Sequence, residues 1–400
     1  MIIRSRFVVP MGDEPIENGA VAIIGNRITD VGRFDEIRAR DGGEVVDLGE
    51  QIMLPGFINA HCHLDYTMLR GAIAPQHSFT DWICAINARK AALSEEDYLA
   101  SIAAGFTESK NFGTTTLVNL TAFPELISRL PRPPLRTWWG AEMIDVREAV
   151  RVCEIAQTMP LSGSGGWGLA PHAPYTASAS LYSDAAEIAR GRGALLTTHL
   201  SESREEMQMF RDASGPLFDF LKSIGRPMDD CGRETPLSYV LRTQEVDQRW
   251  LIAHLNELTD SDFDLLARAR KFHIVHCPRS HAFFAHAPFA LKKLRKLGFN
   301  ICLGTDSLAS NSSLSLFAEM RALRDKEPWL SAREVIEMVT IHAARAIGRS
   351  ESLGQIRPGF CADLIAVPGT PSRRNLFDSI IEFESDVRWM MMDGTTFAPV

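Results

Sequence analysis

The sequence lacks the features of several protein classes. No stretch of the 400 residues approaches 18 consecutive uncharged apolar residues, and the N-terminus MIIRSRFVVPMGDE has no apolar run followed by a small-residue cleavage site. We therefore predict a cytoplasmic protein with no membrane partner. Lysine and arginine number only 42 against 50 acidic residues, a net charge of −8, and no cluster of them forms a basic face. Nucleic acid is accordingly excluded as a partner.

Paired cysteines are also missing. The seven cysteines are scattered, form no CxxC pair and are odd in number, which is typical of reduced thiols rather than a disulfide framework. Cys62 and Cys277 each neighbour a histidine, so they are either metal ligands or small buried hydrophobic residues in strands. We favour the second interpretation.

The two ends of the chain have the same sequence pattern, which is typical of short strands and turns. With 45% hydrophobic and 23% charged residues, the composition is that of a globular protein with a large core. Residues 1–53 read as short alternating strands, with one helical period at Phe34–Arg40, and residues 354–400 are again strand-and-turn sequence. We predict that 1–53 and 354–400 build one composite β-sandwich domain.

The middle of the chain alternates short apolar segments with helical stretches, one of which starts at a capping pair, Ser94 and Asp97. Eight segments are predicted as strands: 56–60, 114–120, 135–143, 166–171, 194–200, 249–255, 272–277 and 299–306. This pattern predicts an α/β fold with a (β/α)8 TIM barrel over residues 54–353. A doubly wound open sheet is the alternative, weakened because no GxGxxG follows the first strand.

Polar residues mark the carboxyl ends of the predicted strands. They are His61 and His63 after the first, His172 after the fourth, and His199, His254, His276 and Asp306 at the ends of the fifth to the eighth. In a barrel these ends meet at one rim, where active sites are built. The placement therefore predicts one shared site.

A metal centre is the simplest use of these side chains. His61 and His63 are separated by one residue, so both imidazoles of an extended segment point to the same side. Taken alone, such a pair is more often two satisfied polar side chains. Together with His199 and Asp306 it supplies three nitrogens and one carboxylate, an ordinary ligand set for Zn²⁺ or Fe²⁺.

Four motifs carry a resemblance to a known family. LPGFINAHCHLD, TTHLSES, AHLN and GTDSLASN occur in the order and spacing typical of the amidohydrolase superfamily, and GQIRPGFCADLIAV is similar to that family's return into its terminal β-domain. The sequence resembles most the cytosine-deaminase-like branch. That branch includes guanine deaminase, S-adenosylhomocysteine and methylthioadenosine deaminases, aminodeoxyfutalosine deaminase and chlorotriazine hydrolases.

The resemblance implies a role for each matching residue. One divalent metal ion per chain would be held by His61, His63, His199 and Asp306, with Zn²⁺ favoured over Fe²⁺. A single ion is expected because PHAPYT, after the fourth strand, lacks the lysine that bridges two ions in binuclear relatives. His254 would polarise the attacking water, and Glu202 would protonate a ring nitrogen. Asp306 is the expected base that takes the proton of the water. Without the resemblance, Glu202 reads as a solvated residue in a charged helix start.

Substrate contacts are predicted less directly, and each has a structural alternative. Trp82 and His172 either contact the substrate or are a buried helix tryptophan and a capped turn histidine. Arg279, with Ser280 beside it, either anchors a substrate carboxylate by a bidentate contact or forms a surface ion pair.

These observations predict a hydrolase that removes ammonia from an aminated N-heterocycle, a small-molecule substrate. A 6-aminopurine nucleoside such as aminodeoxyfutalosine is favoured, and S-adenosylhomocysteine, methylthioadenosine and guanine are alternatives. A chlorotriazine-type hydrolase would keep the site and change the leaving group. A non-catalytic scaffold is the alternative of another class. A homodimer is compatible with the sequence.

Overall fold

The computed structural model describes residues 1–160, 165–369 and 372–397. Its strands are β1 (Ile2–Val8), β2 (Ile16–Ile24), β3 (Arg27–Arg33), β4 (Val45–Asp47), β5 (Gln51–Pro55), β6 (Phe57–His63), β7 (Thr114–Thr121), β8 (Arg136–Met143), β9 (Gly166–Pro171), β10 (Leu195–Leu200), β11 (Trp250–His254), β12 (His273–His276), β13 (Asn300–Leu303), β14 (Asp306–Ser307), β15 (Leu364–Pro368), β16 (Trp389–Met392) and β17 (Thr395–Phe397).

The α-helices are α1 (Phe34–Arg40), α2 (Phe79–Lys90), α3 (Glu95–Asn111), α4 (Val152–Thr158), α5 (Ala179–Arg192), α6 (Arg204–Asp212), α7 (Pro216–Ser223), α8 (Pro236–Thr243), α9 (Asp260–Arg268), α10 (Pro278–Phe283), α11 (Leu291–Lys296), α12 (Leu316–Lys326), α13 (Ala332–Met338), α14 (Ile341–Ala346) and α15 (Leu376–Ile381). Short 3-10 helices cover Leu64–Leu69, Pro124–Arg129 and Arg373–Asn375. None of these helices is long and apolar enough to cross a membrane.

A nine-stranded sheet in the order β13-β12-β11-β10-β9-β8-β7-β6-β14 contains all eight strands predicted for the middle of the chain. The pairings from β8 to β13, and that of β14 with β6, are parallel. Every residue of β6 and β7 is buried, as expected for strands of a parallel sheet covered on both faces. The mixed α/β, TIM-barrel-like fold predicted from the sequence is confirmed.

A two-residue segment, Gly304 and Thr305, connects β13 to β14, the two strands at opposite ends of this strand order. β13 pairs with β12, and only two residues later β14 pairs with β6. Between them Gly304 N donates to His276 O at 3.0 Å, and Thr305 N donates to His61 O at 3.0 Å. A Cβ on Gly304 would lie 2.7 Å from the His61 carbonyl oxygen, so only glycine fits this crossing.

An eight-stranded sheet draws its strands from both ends of the chain. Its order is β17-β16-β15-β5-β1-β2-β3, and β4 pairs with β1. β1 and β5 run parallel, whereas β15 is antiparallel to β5 and to β16. Its buried side chains include Ile3, Val21, Met53, Leu364 and Met391. Strands from both ends of the chain therefore pair within one sheet.

The chain forms two compact units. One contains Met1–Ala60, Phe106–Leu117 and Leu314–Val400, and the other contains His61–Gly105 and Val118–Ser313. The residues of the predicted site all belong to the second unit.

Local signals start the helices where the sequence predicts. α1 covers the predicted Phe34–Arg40. The Ser94 hydroxyl accepts a hydrogen bond from Asp97 N at 3.2 Å, and Ser94 N donates to the Asp97 carboxylate at 2.9 Å, so the predicted capping pair is confirmed. All seven cysteines are free, and Cys62 and Cys277 are buried.

Candidate metal centre and substrate cavity

Strand ends carry the predicted metal ligands. His61 and His63 lie within β6, whereas the sequence predicts them just after the strand. The strand is longer because β14 pairs with its end, Asp306 opposite Cys62 and Ser307 opposite His63. His199 lies near the end of β10, and His254 is the last residue of β11.

The structure brings these side chains together in the protein interior. His63 Nε2 lies 3.3 Å from His199 Nε2, and Asp306 Oδ1 lies 3.8 Å from the Nε2 atoms of both His61 and His63. His254 stacks on His199 with a centroid distance of 5.3 Å. Donor atoms of His61, His63 and Asp306, and separately of His61, His199 and His254, lie within 4.8 Å of one another.

The spacing and protonation of this cluster fit a metal ion. Two nitrogens bound to zinc at about 2.0–2.1 Å with a tetrahedral angle lie about 3.3 Å apart, which is the separation of the His63 and His199 nitrogens. Burial and the neighbouring histidines lower the pKa of His63 well below its usual value, and the pKa of His199 falls to about 4. These imidazoles are therefore neutral at pH 7 and offer lone pairs.

Asp306 supplies the negative charge of the cluster. Burial opposes its ionisation, but the nearby imidazoles of His61, His254 and His63 hold the pKa of Asp306 well below its usual value. Its two oxygens are also fixed: the Ser280 hydroxyl donates to Oδ2 at 2.7 Å, and Ser307 N donates to Oδ1 at 2.8 Å. The carboxylate is thus held ionised and in one orientation.

Backbone contacts orient the histidines. His199 Nδ1 donates to the His172 carbonyl oxygen at 2.9 Å, so its Nε2 carries the lone pair that faces the cluster.

The backbone at the strand ends is strained, because His254 and Asp306 have φ angles of 77° and 57°. A non-glycine residue in this region costs about 1–3 kcal/mol. Packing of the surrounding fold must therefore offset this strain energy to hold the two side chains in place.

Glu202 lies beside the cluster, in the segment that follows β10. Its Oε1 is 3.6 Å from His254 Nε2, and its side chain is only 8% exposed. Burial, together with the charges of Asp306 and Glu206, raises the pKa of Glu202 well above its usual value. A carboxyl group with a raised pKa keeps its proton to higher pH and can donate it. The burial of Glu202 does not match the solvated alternative.

Two further carboxylates hold the segment around Glu202. The buried Glu206 accepts hydrogen bonds from Glu202 N at 2.7 Å and Ser201 N at 3.1 Å. Glu205 accepts hydrogen bonds from Phe79 N at 2.8 Å and Thr80 N at 2.9 Å, at the start of α2. Glu205 therefore ties the first turn of α2 to the start of α6.

We expect Glu206→Ala to lower the free energy of unfolding by about 2 kcal/mol, because two buried backbone N–H groups lose their acceptor. Chemical denaturation measures the change. Glu187→Ala, which removes an exposed carboxylate from α5, is the matched control and should change stability by less than about 0.5 kcal/mol. Equal stabilities of the two variants would contradict this role of Glu206.

A cavity of about 660 Å³ opens onto the cluster. His63, His199, His254, Asp306 and Glu202 line its floor. Its walls include the apolar residues Phe79, Trp82, Ile83 and Ile86 of α2, with Leu217, Phe220 and Leu221 of α7 and Ile224 just after it. The volume is large enough for a nucleoside-sized ligand.

The four predicted substrate contacts divide into two pairs. Trp82 and His172 line the cavity. Arg279 and Ser280 are not among its described lining residues: Arg279 donates to Ser312 Oγ and to the carbonyl oxygen of Ser313, and Ser280 donates to Asp306. Their contact with substrate stays a prediction that the cavity lining does not support.

Sequence reasoning missed several residues that line the cavity, among them Tyr66, Lys90 and Glu142. Glu142 Oε1 lies 3.9 Å from His63 Nδ1, and burial raises the pKa of Glu142 to about 7. Glu142 stands near the end of the predicted third strand, so the strand-end rule that found the histidines would also have found it. Lys90 had no comparable signal in the sequence.

Comparison with known proteins places this geometry in a family. The model of the amidohydrolase family matches residues 52–395. The chain is similar to the 5-methylthioadenosine/S-adenosylhomocysteine deaminase of Pyrococcus furiosus, 30% identical over 92% of this chain and 84% of the relative. It is also similar to the 5'-deoxyadenosine deaminase of Methanosphaera stadtmanae, 27% identical over 95% of this chain and 90% of the relative.

Solved structures share the fold. Helicobacter pylori aminofutalosine deaminase in complex with methylthio-coformycin superposes with a TM-score of 0.88 at 19% identity and covers 99% of both chains. An adenosine deaminase from Xanthomonas campestris with bound zinc gives 0.84 at 22% identity, over 100% of this chain and 92% of that one. The predicted resemblance and the predicted hydrolase class are confirmed: this chain belongs to the amidohydrolase family.

Proposed function

We propose that the protein is a metal-dependent hydrolytic deaminase that releases ammonia from a 6-aminopurine nucleoside. The observation that carries the proposal is the position of Glu202, a buried acid 3.6 Å from His254 and in the same cavity as the histidine–aspartate cluster. A proton donor beside a metal-binding group is the pair that hydrolysis of an aromatic C–N bond needs. Relatives named as deaminases of adenosine derivatives support this substrate class.

His61, His63, His199 and Asp306 are the proposed ligands of one divalent ion, Zn²⁺ before Fe²⁺. A nitrogen-rich set with one carboxylate suits both ions. When bound, such an ion lowers the pKa of water toward about 7 and so supplies a nucleophile at neutral pH.

In the proposed mechanism each side chain moves or holds one proton. Asp306 accepts a proton from the attacking water, and His254 orients that water. Glu202 gives its proton to the ring nitrogen next to the attacked carbon, so the ring can accept the electron pair. Asp306 then passes its proton to the amino group, the C–N bond breaks, and ammonia leaves. The hydroxyl group added to the ring gives up its remaining proton, which returns Glu202 to its acid form and leaves a carbonyl on the ring.

One nucleoside is proposed as the favoured substrate, and several related compounds are alternatives. Aminodeoxyfutalosine is the favoured nucleoside, and methylthioadenosine and S-adenosylhomocysteine are alternatives supported by the names of the relatives. Guanine and chlorotriazines are further alternatives within the family, and a non-catalytic scaffold is the alternative of another class. Trp82 and His172 are the proposed substrate contacts within the cavity.

Further details of organisation are proposals as well. They are a (β/α)8 barrel over residues 54–353, a terminal β-sandwich from 1–53 and 354–400, a cytoplasmic location and a homodimer. The paired termini of the eight-stranded sheet support the composite domain.

We expect the purified protein to convert at least one 6-aminopurine nucleoside to its 6-oxo product, and treatment with a chelator to abolish turnover. The assay follows ammonia release and the adenine-to-hypoxanthine absorbance change for aminodeoxyfutalosine, methylthioadenosine, S-adenosylhomocysteine and 5'-deoxyadenosine. Zn²⁺ added to the chelated protein should restore the rate, because neutral imidazoles rebind the ion.

Two results would count against the proposal. Absence of turnover with all four nucleosides would remove the substrate class, and chloride release from a halogenated triazine would then favour the chlorohydrolase alternative. A metal content far below one ion per chain that added Zn²⁺ or Fe²⁺ does not change would favour the scaffold alternative.

A further inference from the structure

One wall of the cavity changes from apolar to polar along its length. The cavity-facing residues of α2 recur at helical spacing and occupy one side of the helix: Phe79, Trp82, Ile83, Ile86, Asn87 and Lys90. The first four are apolar and the last two are polar. A ligand lying along this wall would contact apolar side chains beside the start of the helix and an ammonium group beside its end.

Lys90 lines the cavity as a partly buried cation. Its side chain is half-buried, and Nζ lies 4.7 Å from the centroid of the Tyr66 ring. Among the residues that the structure describes, no carboxylate forms an ion pair with Lys90. Partly desolvating an ammonium group is costly unless a partner compensates for the lost water.

The Lys90 ammonium also acts on three titratable groups near it, Asp65, Glu142 and His172. Burial raises the pKa of Asp65 to about 6 and that of Glu142 to about 7, and the Lys90 ammonium counteracts both shifts. Burial and His199 lower the pKa of His172, and Lys90 lowers it further. Lys90 lines the cavity together with Glu142 and His172, so its side chain projects toward the interior rather than into bulk water.

We propose that Lys90 binds an acidic group carried by the substrate, so that the enzyme selects nucleosides whose substituent ends in a carboxylate. This inference rests on the proposed deaminase function and names the substrate class more narrowly. Arg279 was predicted for this task, but its guanidinium is occupied by Ser312 and Ser313 and it is not among the described lining residues. The apolar start of α2 would pack against the body of the substituent, and Lys90 would bind its end.

The test uses matched pairs of substrates that differ only in charge. 5'-S-(carboxyalkyl)-5'-thioadenosines of increasing chain length are compared with their carboxamides, which have nearly the same shape and no charge. We expect the wild-type kcat/KM to favour the acid over the amide by roughly 10- to 100-fold at one chain length, because a charge-assisted hydrogen bond is lost in the amide.

Three variants separate charge from structure. Lys90→Met should bring the acid-to-amide ratio close to one, because the loss in kcat/KM is larger for the acids than for the amides. Lys90→Arg should retain the preference because it retains the charge. Arg89→Met, which removes an exposed cation one residue away on the same helix and outside the described cavity lining, is the matched control and should keep the wild-type ratio.

Calorimetric binding of the same acids and amides gives a readout that does not depend on turnover. A preference for acids that Lys90→Met abolishes supports the inference, even if no nucleoside is turned over and the proposed function fails. Equal binding and turnover of acids and amides at every chain length would overturn the inference, as would a preference for acids that persists in Lys90→Met. An equal loss for acids and amides in Lys90→Met would assign Lys90 to supporting Asp65 and Glu142 instead.

Discussion

Asp306→Asn is expected to lower kcat by at least about 10⁴-fold, because the amide cannot accept the proton of the attacking water. The substitution keeps the size of the side chain and one acceptor oxygen, which can still accept the hydrogen bond from Ser307 N. The new amide nitrogen would face the Ser280 hydroxyl, which can turn to accept from it. It removes the one negative charge of the proposed ligand set. Steady-state kinetics with the best nucleoside substrate measures the loss, and elemental analysis measures how much metal remains.

The control for this variant is Asp184→Asn, which neutralises an exposed aspartate on α5. It should retain wild-type kcat and metal content. If Asp306→Asn kept its metal and turned over substrate within tenfold of wild type, Asp306 would not be the base. A variant that lost both metal and activity would be consistent with its role as ligand, and reloading with excess Zn²⁺ would then isolate its role as base.

Glu202→Gln is expected to lower kcat by ~10²–10⁴-fold while leaving the metal content unchanged. Glutamine fills the same space but cannot give a proton to the ring nitrogen. Glu202 lies 3.6 Å from His254 and outside the proposed ligand set, so the metal centre should remain intact. Glu187→Gln, an exposed change of the same kind, should behave as wild type in both measurements.

The same residue predicts a pH dependence. Burial, with the charges of Asp306 and Glu206, raises the pKa of Glu202 above its usual value, and the protonated form is the active one. Activity is therefore present below this raised pKa and is lost as the pH rises through it. The high-pH fall of kcat/KM should disappear from the residual activity of Glu202→Gln. A Glu202→Gln enzyme with near-wild-type kcat would remove Glu202 from the mechanism.

Much of the barrel-like sheet was predictable because its strands are short apolar runs between turn residues. The predicted 166–171 is β9, and 114–120 differs from β7 by one residue. The eighth strand was predicted as continuous, but it is interrupted at Gly304 and Thr305, where it leaves one neighbour for another. Such an interruption depends on pairing between distant strands, which local sequence does not encode.

The site was predictable where residue type and strand position agreed. His199 and Asp306 stand at strand ends, so a barrel brings them together whatever the details of its loops. Arg279 failed this condition because it lies on α10, beyond a strand end, and the direction of its side chain depends on how that helix packs. Lys90 lies at the end of a helix, twenty-seven residues after His63, and nothing local shows that it faces the cavity.

The crossing at Gly304 has a consequence for how the protein folds. His61 belongs to the first strand of the sheet along the chain and Asp306 to the last, so the proposed ligand set is complete only after β14 has paired with β6. Bringing them together costs the loop entropy of most of the intervening chain. An ion bound by residues of both strands would stabilise only the state in which β14 is paired with β6. The site does not exist in the unfolded chain, so the free energy of metal binding adds to the free energy of folding. Metal binding would therefore stabilise the product of a late step in folding, in addition to being required for the reaction.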